Sequence, residues 1–281
     1  MITKTQHILE GKHERPIPLD LYTPKQQNGD LAVFCHGYKG FKDWGCWDLV
    51  AREFVREGVS FLKFNFSHNG GTIEQPIDFP DLEAFALNNF TKEMDDLQTV
   101  IEWVCGDGAS RVESENTVNI HLIGHSRGGG IVTLKAAEEN RVATVTSWAG
   151  VSDFKSRFAD KKALDYWRAN GVIYVENSRT KQQLPHYYQF YEDFVANEER
   201  FTIRAAATSL DLPHLIVHGT EDPTVDLKEA MALKSWNPDA RLHVIEGADH
   251  VFGGKHPWEV NRLPGHLKNA VDATVDFIKQ E

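Results

Sequence analysis

The stretch Thr117-Val-Asn-Ile-His-Leu-Ile-Gly-His-Ser-Arg-Gly-Gly-Gly130 decides the fold of this chain. Its apolar, strand-like first half breaks at Gly124-x-Ser-x-Gly128, and a helix-compatible segment follows over residues 131–139. A strand, a tight turn and a helix in this order place Ser126 at the tip of the turn. Small residues on either side let the two backbones approach each other. The stretch therefore predicts that Ser126 is a nucleophile.

The residue after this serine, Arg127, opens the predicted helix. A backbone N–H in the first turn has no partner inside the helix, so that of Arg127 can face an oxygen that becomes negative during a reaction. The five-residue pattern alone is common by chance, and a plain loop or N-cap serine is the simpler alternative for Ser126. The rest of the chain has to decide between these two interpretations.

Composition restricts the classes of function. The chain has 281 residues, of which 41% are hydrophobic, and an α/β protein of this size can form one domain. The formal net charge of −11 argues against general binding to nucleic acid or anionic membranes, since both depend on basic patches. Three cysteines at unrelated spacings fit a reducing compartment better than a disulfide framework or a zinc site. With no apolar leader and no membrane-length apolar window, we expect a cytoplasmic protein.

Strands and helices alternate through the first half of the chain. Two strand-like runs, around residues 6–10 and 17–22, predict a β-hairpin at a sheet edge. The next predicted elements are strands at residues 31–35 and 59–66 and helices at residues 47–57 and 91–105, the second capped by Thr91. This alternation predicts a mostly parallel sheet with helices on both faces.

A glycine-containing loop follows the strand that ends at Cys35. It reads His36-Gly37-Tyr38-Lys39-Gly40, and such a loop can turn backbone N–H groups inward. We expect the N–H of Tyr38 to face the nucleophile together with the N–H of Arg127, so that the two form an oxyanion hole. The side chain of His36 is more simply explained as a hydrogen-bond partner within the loop.

The alternation stops midway along the chain. Residues 152–206 are dense in aromatic side chains but lack the pattern of core strands, although residues 173–175 and 184–188 can pair as a hairpin. We therefore predict a core of residues 1–151 and 207–281, with residues 152–206 inserted as a cap above the strand ends, where ligands bind in open α/β sheets. The aromatics of the cap either line an acyl or aryl pocket or form its own small core. For most of them the second interpretation is favoured.

Two further candidates follow the last two predicted strands. Asp222 comes after a strand at residues 212–218, and His250 after a strand at residues 240–245. A carboxylate just past a strand end can accept a hydrogen bond from a histidine Nδ1–H, so we expect Asp222 to orient His250. Asp249 is too close in sequence to His250 to do so readily.

The order of Ser126, Asp222 and His250 along the chain resembles that of a known superfamily. Serine, aspartate and histidine in this order, each after a separate strand, is the order of α/β-hydrolases. The chain resembles that superfamily over nearly its whole length, in His36-Gly37-x-x-Gly40, Gly124-His-Ser-Arg-Gly-Gly129, Gly219-x-x-Asp222 and Asp249-His250. Within it, the His-Gly-Tyr-x-Gly loop, the Asn65-x-Ser-x-Asn-Gly-Gly71 segment and the hairpin-bearing insert resemble the cinnamoyl or feruloyl esterase group and its dienelactone-hydrolase-like relatives.

The resemblance implies an α/β-hydrolase fold and a serine esterase that needs no metal or organic cofactor. Ser126 would attack a small acyl or aryl ester, hydroxycinnamoyl esters included, with His250 as base and Asp222 as its partner, and an acyl-enzyme would form. The chain departs from the pattern at two places: Arg127 stands where Gln or an apolar residue is frequent, and Ser67-His68 replaces Arg-Gly. The shape and charge of the acyl pocket are therefore expected to differ from the group.

Two classes of alternative remain open from the sequence. An acyl-CoA thioesterase, an acyltransferase or a peptidase would use the same three residues. A hydrolase-like protein without catalysis would bind a small molecule and leave it intact. The expected partner is a small-molecule ester in the first interpretation, and the sequence makes no prediction of oligomeric state.

Overall fold

The structure is a computed structural model that describes residues 1–26, 28–112 and 118–281. Residues 113–117 lie outside these ranges, and they include Thr117, the first residue of the deciding stretch. Within the ranges, no helix combines the length and apolar character that crossing a membrane requires.

The described residues contain strands and helices in alternation. The strands are β1 (Thr3–Glu10), β2 (Pro16–Thr23), β3 (Asp30–Cys35), β4 (Ser60–Phe64), β5 (Asn119–His125), β6 (Val142–Trp148), β7 (Val172–Glu176), β8 (Gln183–Tyr187), β9 (His214–Gly219) and β10 (Arg241–Ile245). The helices are α1 (Trp47–Arg56), α2 (Leu82–Ala86), α3 (Phe90–Cys105), α4 (Ala109–Val112), α5 (Arg127–Glu138), α6 (Lys161–Asn170), α7 (Gln189–Ala196), α8 (Ile203–Ser209), α9 (Leu227–Trp236) and α10 (Gly265–Ile278).

Eight of the described strands form one sheet in the order β1-β2-β4-β3-β5-β6-β9-β10. The pairs β1–β2 and β2–β4 are antiparallel, and the other pairs are parallel, so the predicted edge hairpin and mostly parallel sheet are confirmed. Strand β5 lies between β3 and β6, with Gly124 opposite both Cys35 and Ser147. Because parallel strands end at the same edge, the loops after β3, β5, β6 and β9 meet there.

Both faces of the sheet are buried at its central strands, which explains their continuous apolar runs. On one face, α3 and α5 pack against the sheet through buried side chains such as Leu97 and Ile131. On the other face, α1 and α10 do so through side chains such as Phe54 and Val271. Full burial of each such side chain stabilises the fold by about 1.5–3 kcal/mol. The sheet is thereby held rigid beneath the loops at its carboxyl edge.

The segment between β6 and β9 contains α6, the hairpin β7–β8, α7 and α8. The predicted hairpin is confirmed, with Ile173 opposite His186 in an antiparallel register. The predicted boundary between residues 206 and 207 falls inside α8, and this helix contacts both α5 and α9.

The start of α3 corrects one prediction. Thr91 does not cap the helix: Asn89 does, and its side chain accepts a hydrogen bond from the Lys92 N–H. Asn89 has the extended backbone that an N-cap needs. The hydroxyl of Thr91, already inside the helix, instead donates to Asp193 of α7 at 2.5 Å. The predicted helix therefore begins too late: Asn89, two residues before Thr91, is the N-cap.

Candidate active site

Ser126 lies at the turn between β5 and α5 with a strained backbone. Its φ is 57° and its ψ −120°, a conformation that costs a non-glycine residue about 1–3 kcal/mol. Hydrogen bonds on both sides maintain it: the Ser126 N–H donates to the Trp148 carbonyl at 2.9 Å, and its own carbonyl accepts from Gly129 at 2.9 Å. The strand, turn and helix predicted around this serine are present.

The glycines beside Ser126 are required by contacts between backbones. A Cβ on Gly124 would lie 2.1 Å from the carbonyl oxygen of Gly128. A Cβ on Gly128 would lie 2.4 Å from the carbonyl oxygen of Cys35, on the neighbouring strand β3. Both distances are far below normal contact, so only glycine permits β5, α5 and β3 to meet at this point.

The loop after β3 packs directly against Ser126. A Cβ on Gly37 would lie 2.8 Å from the Cβ of Ser126. Neither the N–H of Tyr38 nor that of Arg127 has a hydrogen-bond partner among the described residues. Two backbone donors without a partner among the described residues therefore lie near the serine along the chain or in the packed loop, one directly after Ser126 and one directly after Gly37.

His36 takes the structural role that was expected of it. Its Nδ1–H donates to the Gly37 carbonyl at 2.9 Å, and its Nε2 accepts from the Phe66 N–H at 3.4 Å. Burial, together with the positive charge of Arg127, lowers the pKa of His36 to about 4, although the hydrogen bond to the Gly37 carbonyl opposes this shift. The ring is thus neutral and fixes the loop.

Asp222 and His250 come together after β9 and β10. The Nδ1–H of His250 donates to Oδ2 of Asp222 at 2.8 Å, and the N–H groups of Thr224 and Val225 donate to Oδ1 at 2.8 and 2.9 Å. Burial on its own would raise the pKa of Asp222, but the hydrogen bonds from His250 and the backbone outweigh it and hold the pKa below its usual value. The buried carboxylate is therefore ionised. Asp249 instead accepts from the N–H of Val251 and of Gly253, as its position suggested.

A cavity of about 130 Å³ joins Ser126 and His250, which both line it together with Trp44 and Trp47. Ser126 Oγ makes no hydrogen bond to any described residue. The hydrogen bond between a nucleophile and its base is often long without substrate and shortens in the complex. The structure thus brings Ser126 and His250 to one opening, and the buried carboxylate of Asp222 orients the histidine from behind.

His125 supports His250, a role that the sequence did not indicate. Its Nε2–H donates to the His250 carbonyl at 2.8 Å, and the two rings lie 4.9 Å apart. Burial lowers the pKa of His125 to about 3, with a further contribution from His250, so the ring is neutral. Its position directly before Ser126 was the available signal, because β5 ends there beside the loop that carries the histidine.

A second cavity, of about 440 Å³, opens from Ser126 on the side of the insert. Its lining is mainly apolar and includes Phe90, Phe154, Phe158, Trp167, Ile173 and Phe190. Phe154 stacks on Phe90 with ring centroids 4.0 Å apart, whereas Phe194 and Phe201 pack behind this layer in the core. The aromatics of the insert therefore serve both purposes considered above: some line the cavity and others form the packing beneath it.

The side chain of Arg127 shapes this cavity. Its guanidinium lies 4.5 Å from the ring centroid of Tyr38, and its Nη1 donates to Oε1 of Glu93 at 3.2 Å. The Tyr38 hydroxyl is in turn 2.7 Å from Nε2 of His186 on β8. Glu93 and His186 were missed in the sequence, since they lie 34 and 59 residues from Arg127. In the sequence, only the arginine at position 127, where Gln or an apolar residue is frequent, indicated that the side of the cavity formed by Arg127 and Tyr38 would be polar.

Three carboxylates elsewhere lie close enough to share a cation: Asp20, Asp43 and Asp48. The ammonium group of Lys63 lies among them, 3.1, 2.5 and 2.6 Å from their oxygens, and Lys42 contacts Asp20 at 3.0 Å. These carboxylates raise the pKa of Lys63, although burial alone would lower it. Lys4 also contacts Asp20 and Asp48, at 3.1 and 3.7 Å, so three lysines balance the three carboxylates in a partly buried network of ion pairs.

The chain has recognisable relatives at the level of family and fold. The profile of the Alpha/beta hydrolase family matches residues 32–260. No curated protein sequence matches the chain.

Similar solved structures cover nearly the whole chain. Est1E from Butyrivibrio proteoclasticus with ferulic acid bound is 16% identical, with 98% of each chain covered and a TM-score of 0.71. The esterase Pf2001 from Pyrococcus furiosus is 14% identical, with 99% of this chain and 93% of that chain covered and a TM-score of 0.62. A puromycin-hydrolyzing peptidase from Mycobacterium tuberculosis is 18% identical, with 99% of this chain and 39% of that chain covered and a TM-score of 0.64. At these identities the likeness concerns the fold.

Proposed function

Because the chain belongs to the alpha/beta hydrolase family, we propose that it is a serine-dependent carboxylic ester hydrolase acting on small acyl or aryl esters through an acyl-enzyme. The observation that carries this proposal is the pair of Asp222 and His250, 2.8 Å apart, at the same cavity as the strained Ser126. An ionised aspartate, a histidine with a fixed tautomer and a serine at a tight turn are the parts of an acyl-transfer site.

The first step forms the acyl-enzyme. Nε2 of His250 takes the proton of Ser126 as Oγ attacks the ester carbonyl carbon. The negative oxygen of the tetrahedral intermediate is stabilised by the N–H groups of Tyr38 and Arg127, which have no hydrogen-bond partner among the described residues. Asp222 stays ionised and stabilises the histidinium. His250 then gives its proton to the departing alcohol.

The second step releases the acid. His250 takes a proton from water, which attacks the acyl carbon, and the same two N–H groups stabilise the second oxyanion. His250 finally returns a proton to Ser126, so the enzyme is unchanged after one turnover. All the catalytic groups in these two steps belong to the protein. One turnover consumes one ester and one water.

The two cavities suggest how the ester is placed. The cavity of about 440 Å³ is lined by aromatic rings and excludes His250, whereas the cavity of about 130 Å³ includes it. Since His250 protonates the leaving alcohol, we assign the smaller cavity to the alcohol and the larger one to the acyl group. An aryl acyl group, such as a hydroxycinnamoyl group, fits the larger cavity by size and apolar character. Residues 152–206 would then act as a cap over the acyl group.

The remaining expectations concern the setting of the reaction. We propose a small-molecule ester as partner and the cytoplasm as location. Cys35 and Cys46 are free and buried, which fits a reducing compartment, although burial alone also explains them.

The proposal is tested by ester hydrolysis with the wild type and Ser126→Ala. We expect the wild type to hydrolyse p-nitrophenyl acetate and butanoate or methyl hydroxycinnamates, and the variant to lose about 10⁶-fold in kcat. Acyl-CoA and peptide substrates in the same assay separate a thioesterase or peptidase from an esterase. The free energy of unfolding should change by about 0.5 kcal/mol or less. Equal turnover by the variant, or binding of esters by the wild type without hydrolysis, would contradict the proposal.

A further inference from the structure

A small recess lies beside the loop that packs on Ser126. Its volume is about 20 Å³, and the polar residues of its mixed lining include Tyr38, Lys39, Asn88, Glu93, Arg127 and His186. A volume of roughly 10–15 Å³ is enough for one water-sized group. The recess therefore has room for a single oxygen-containing group and for little else.

Hydrogen-bonding atoms at this recess lack partners within the described residues. Oε2 of Glu93 is buried with no hydrogen bond, and the whole Glu93 side chain is only 5% exposed. Oδ1 of Asn88 is likewise buried and unpaired. The Arg127 guanidinium has five N–H donors. Among the described residues, only its Nη1–H has a hydrogen-bond partner, which is Glu93. Buried polar atoms are rarely left unpaired, so a group from outside the chain is expected here.

The mixture of free donors and free acceptors selects the chemistry of that group. A hydroxyl can accept from Arg127 and donate to Glu93 or Asn88 at the same time. A carboxylate would meet the negative charge of Glu93, an ammonium would meet the positive charge of Arg127, and a methyl would leave every atom unpaired. Water also satisfies these requirements, and we expect it to occupy the recess when no ligand is bound.

The recess adjoins the acyl cavity through residues that line both. Arg127 directly follows Ser126, so their Cα atoms are about 3.8 Å apart. The recess lies between the two cavities: it shares the loop of residues 36–40 with the cavity that contains His250, and it shares Tyr38, Arg127 and His186 with the cavity of about 440 Å³. Of the three, Arg127 lines only the recess and the larger cavity, so a hydroxyl that accepts from its guanidinium belongs to the acyl group, on a carbon near the carbonyl.

We propose that the recess formed by Glu93, Asn88 and Arg127 binds a hydroxyl on the second or third carbon of the acyl chain, and that the preferred substrates are 2- or 3-hydroxyacyl esters. This inference rests on the proposed ester hydrolysis. The remainder of the acyl group enters the aromatic cavity. Because the recess lies on one side of the bound acyl group, it accepts the hydroxyl of only one enantiomer. The three rings of Tyr38, Phe90 and Phe190, 4.5–5.6 Å from the Arg127 guanidinium, keep its donors in place.

The test compares ethyl 4-phenylbutanoate with the separate enantiomers of its 2-hydroxy and 3-hydroxy derivatives. We expect one hydroxylated ester to have a kcat/KM about tenfold or more above that of the parent ester, and its mirror image to have no such advantage, because sites built to bond a hydroxyl discriminate against its absence. Equal values for all the esters would overturn the recess proposal and leave ester hydrolysis intact.

Variants link the preference to the recess. The double variant Glu93→Met with Arg127→Met replaces the buried ion pair by apolar side chains of similar length, which folds tolerate. We expect the ratio of kcat/KM between the hydroxylated and parent esters to fall to within about twofold of one. The matched control, Glu139→Met with Arg141→Met, removes another ion pair just past the opposite end of α5 and should keep the ratio. If the double variant does not fold, the single variant Glu93→Gln serves, with a smaller expected fall. A ratio unchanged in the folded recess variants would overturn the proposal.

A binding measurement separates this proposal from the proposed function. In Ser126→Ala, calorimetry with the same esters should show tighter binding of the same hydroxylated enantiomer by about tenfold. If the wild type hydrolyses none of the esters but Ser126→Ala prefers that enantiomer, ester hydrolysis is wrong and the hydroxyl site stands. If Ser126→Ala binds all of them equally or binds none, the recess holds water alone and the hydroxyl site is wrong.

Discussion

The turn around Ser126 and the insert of residues 152–206 form opposite sides of the candidate site, and different forces hold them. The turn is fixed by contacts between backbones, such as that between Gly124 and Gly128. The insert is tied to α2 and α3 by hydrogen bonds between side chains about one hundred residues apart, including Tyr187 to Glu83 and Thr91 to Asp193. The chemistry therefore rests on a rigid frame, whereas the acyl cavity rests on contacts that substitution can alter one at a time.

The largest expected effect comes from Asp222→Asn, on the rigid side. The amide keeps the shape but cannot hold His250 in the tautomer that accepts a proton from Ser126, so kcat should fall about 10⁴-fold. The matched control is Asp226→Asn, an exposed N-cap residue of α9 where asparagine caps equally well. Steady-state hydrolysis of p-nitrophenyl butanoate checks both variants. A loss below tenfold for Asp222→Asn would mean that the pair seen at 2.8 Å does not act in catalysis.

A methyl group added at the turn should destabilise the whole protein. In Gly124→Ala the new Cβ would meet the Gly128 carbonyl oxygen at 2.1 Å, and both atoms belong to backbone that cannot rotate away. We expect the free energy of unfolding to fall by about 3 kcal/mol, at the upper end of overpacking effects. Gly265→Ala, where nothing lies within 4 Å, should change it by about 1 kcal/mol or less. Urea unfolding measures the free energy of unfolding of both variants. Equal losses in the two would refute the claim that close contacts between backbones fix the turn.

A smaller and more local effect is expected on the insert. Asp193→Ala removes the acceptor of the Thr91 hydroxyl and N–H, at 2.5 and 3.2 Å, and should lower the free energy of unfolding by about 1 kcal/mol. Amide hydrogen exchange should rise in α7 and stay unchanged in α5. The neighbouring exposed residue provides the control, Glu192→Ala. Faster exchange in α5 to the same degree would show that the turn and the insert are not independent.

The same contrast explains how much of the molecule could be predicted from the sequence. Ser126, Asp222 and His250 each follow an apolar strand, so the pattern along the chain located them and their order suggested the family. The parallel sheet, the edge hairpin and the hairpin of the insert followed from periodicity and turn residues in the same way. All of these depend on residues close together in the sequence.

What could not be predicted depends on distant partners. The contact of Arg127 with Glu93 spans 34 residues, and nothing in either segment specifies the other. Thr91 was expected to cap α3, but its hydroxyl donates to Asp193, which lies 102 residues farther along the chain. Residue patterns describe one strand or helix at a time, whereas the acyl cavity is built where several of them meet.

The central claim is that Ser126 is the nucleophile, and covalent labelling tests it most directly. The wild type is treated with a fluorophosphonate, its intact mass is measured, and the labelled peptide is sequenced by mass spectrometry. We expect one adduct per chain, located on Ser126, and no adduct in Ser126→Ala. An adduct on another residue, or equal labelling of Ser126→Ala, would contradict the account.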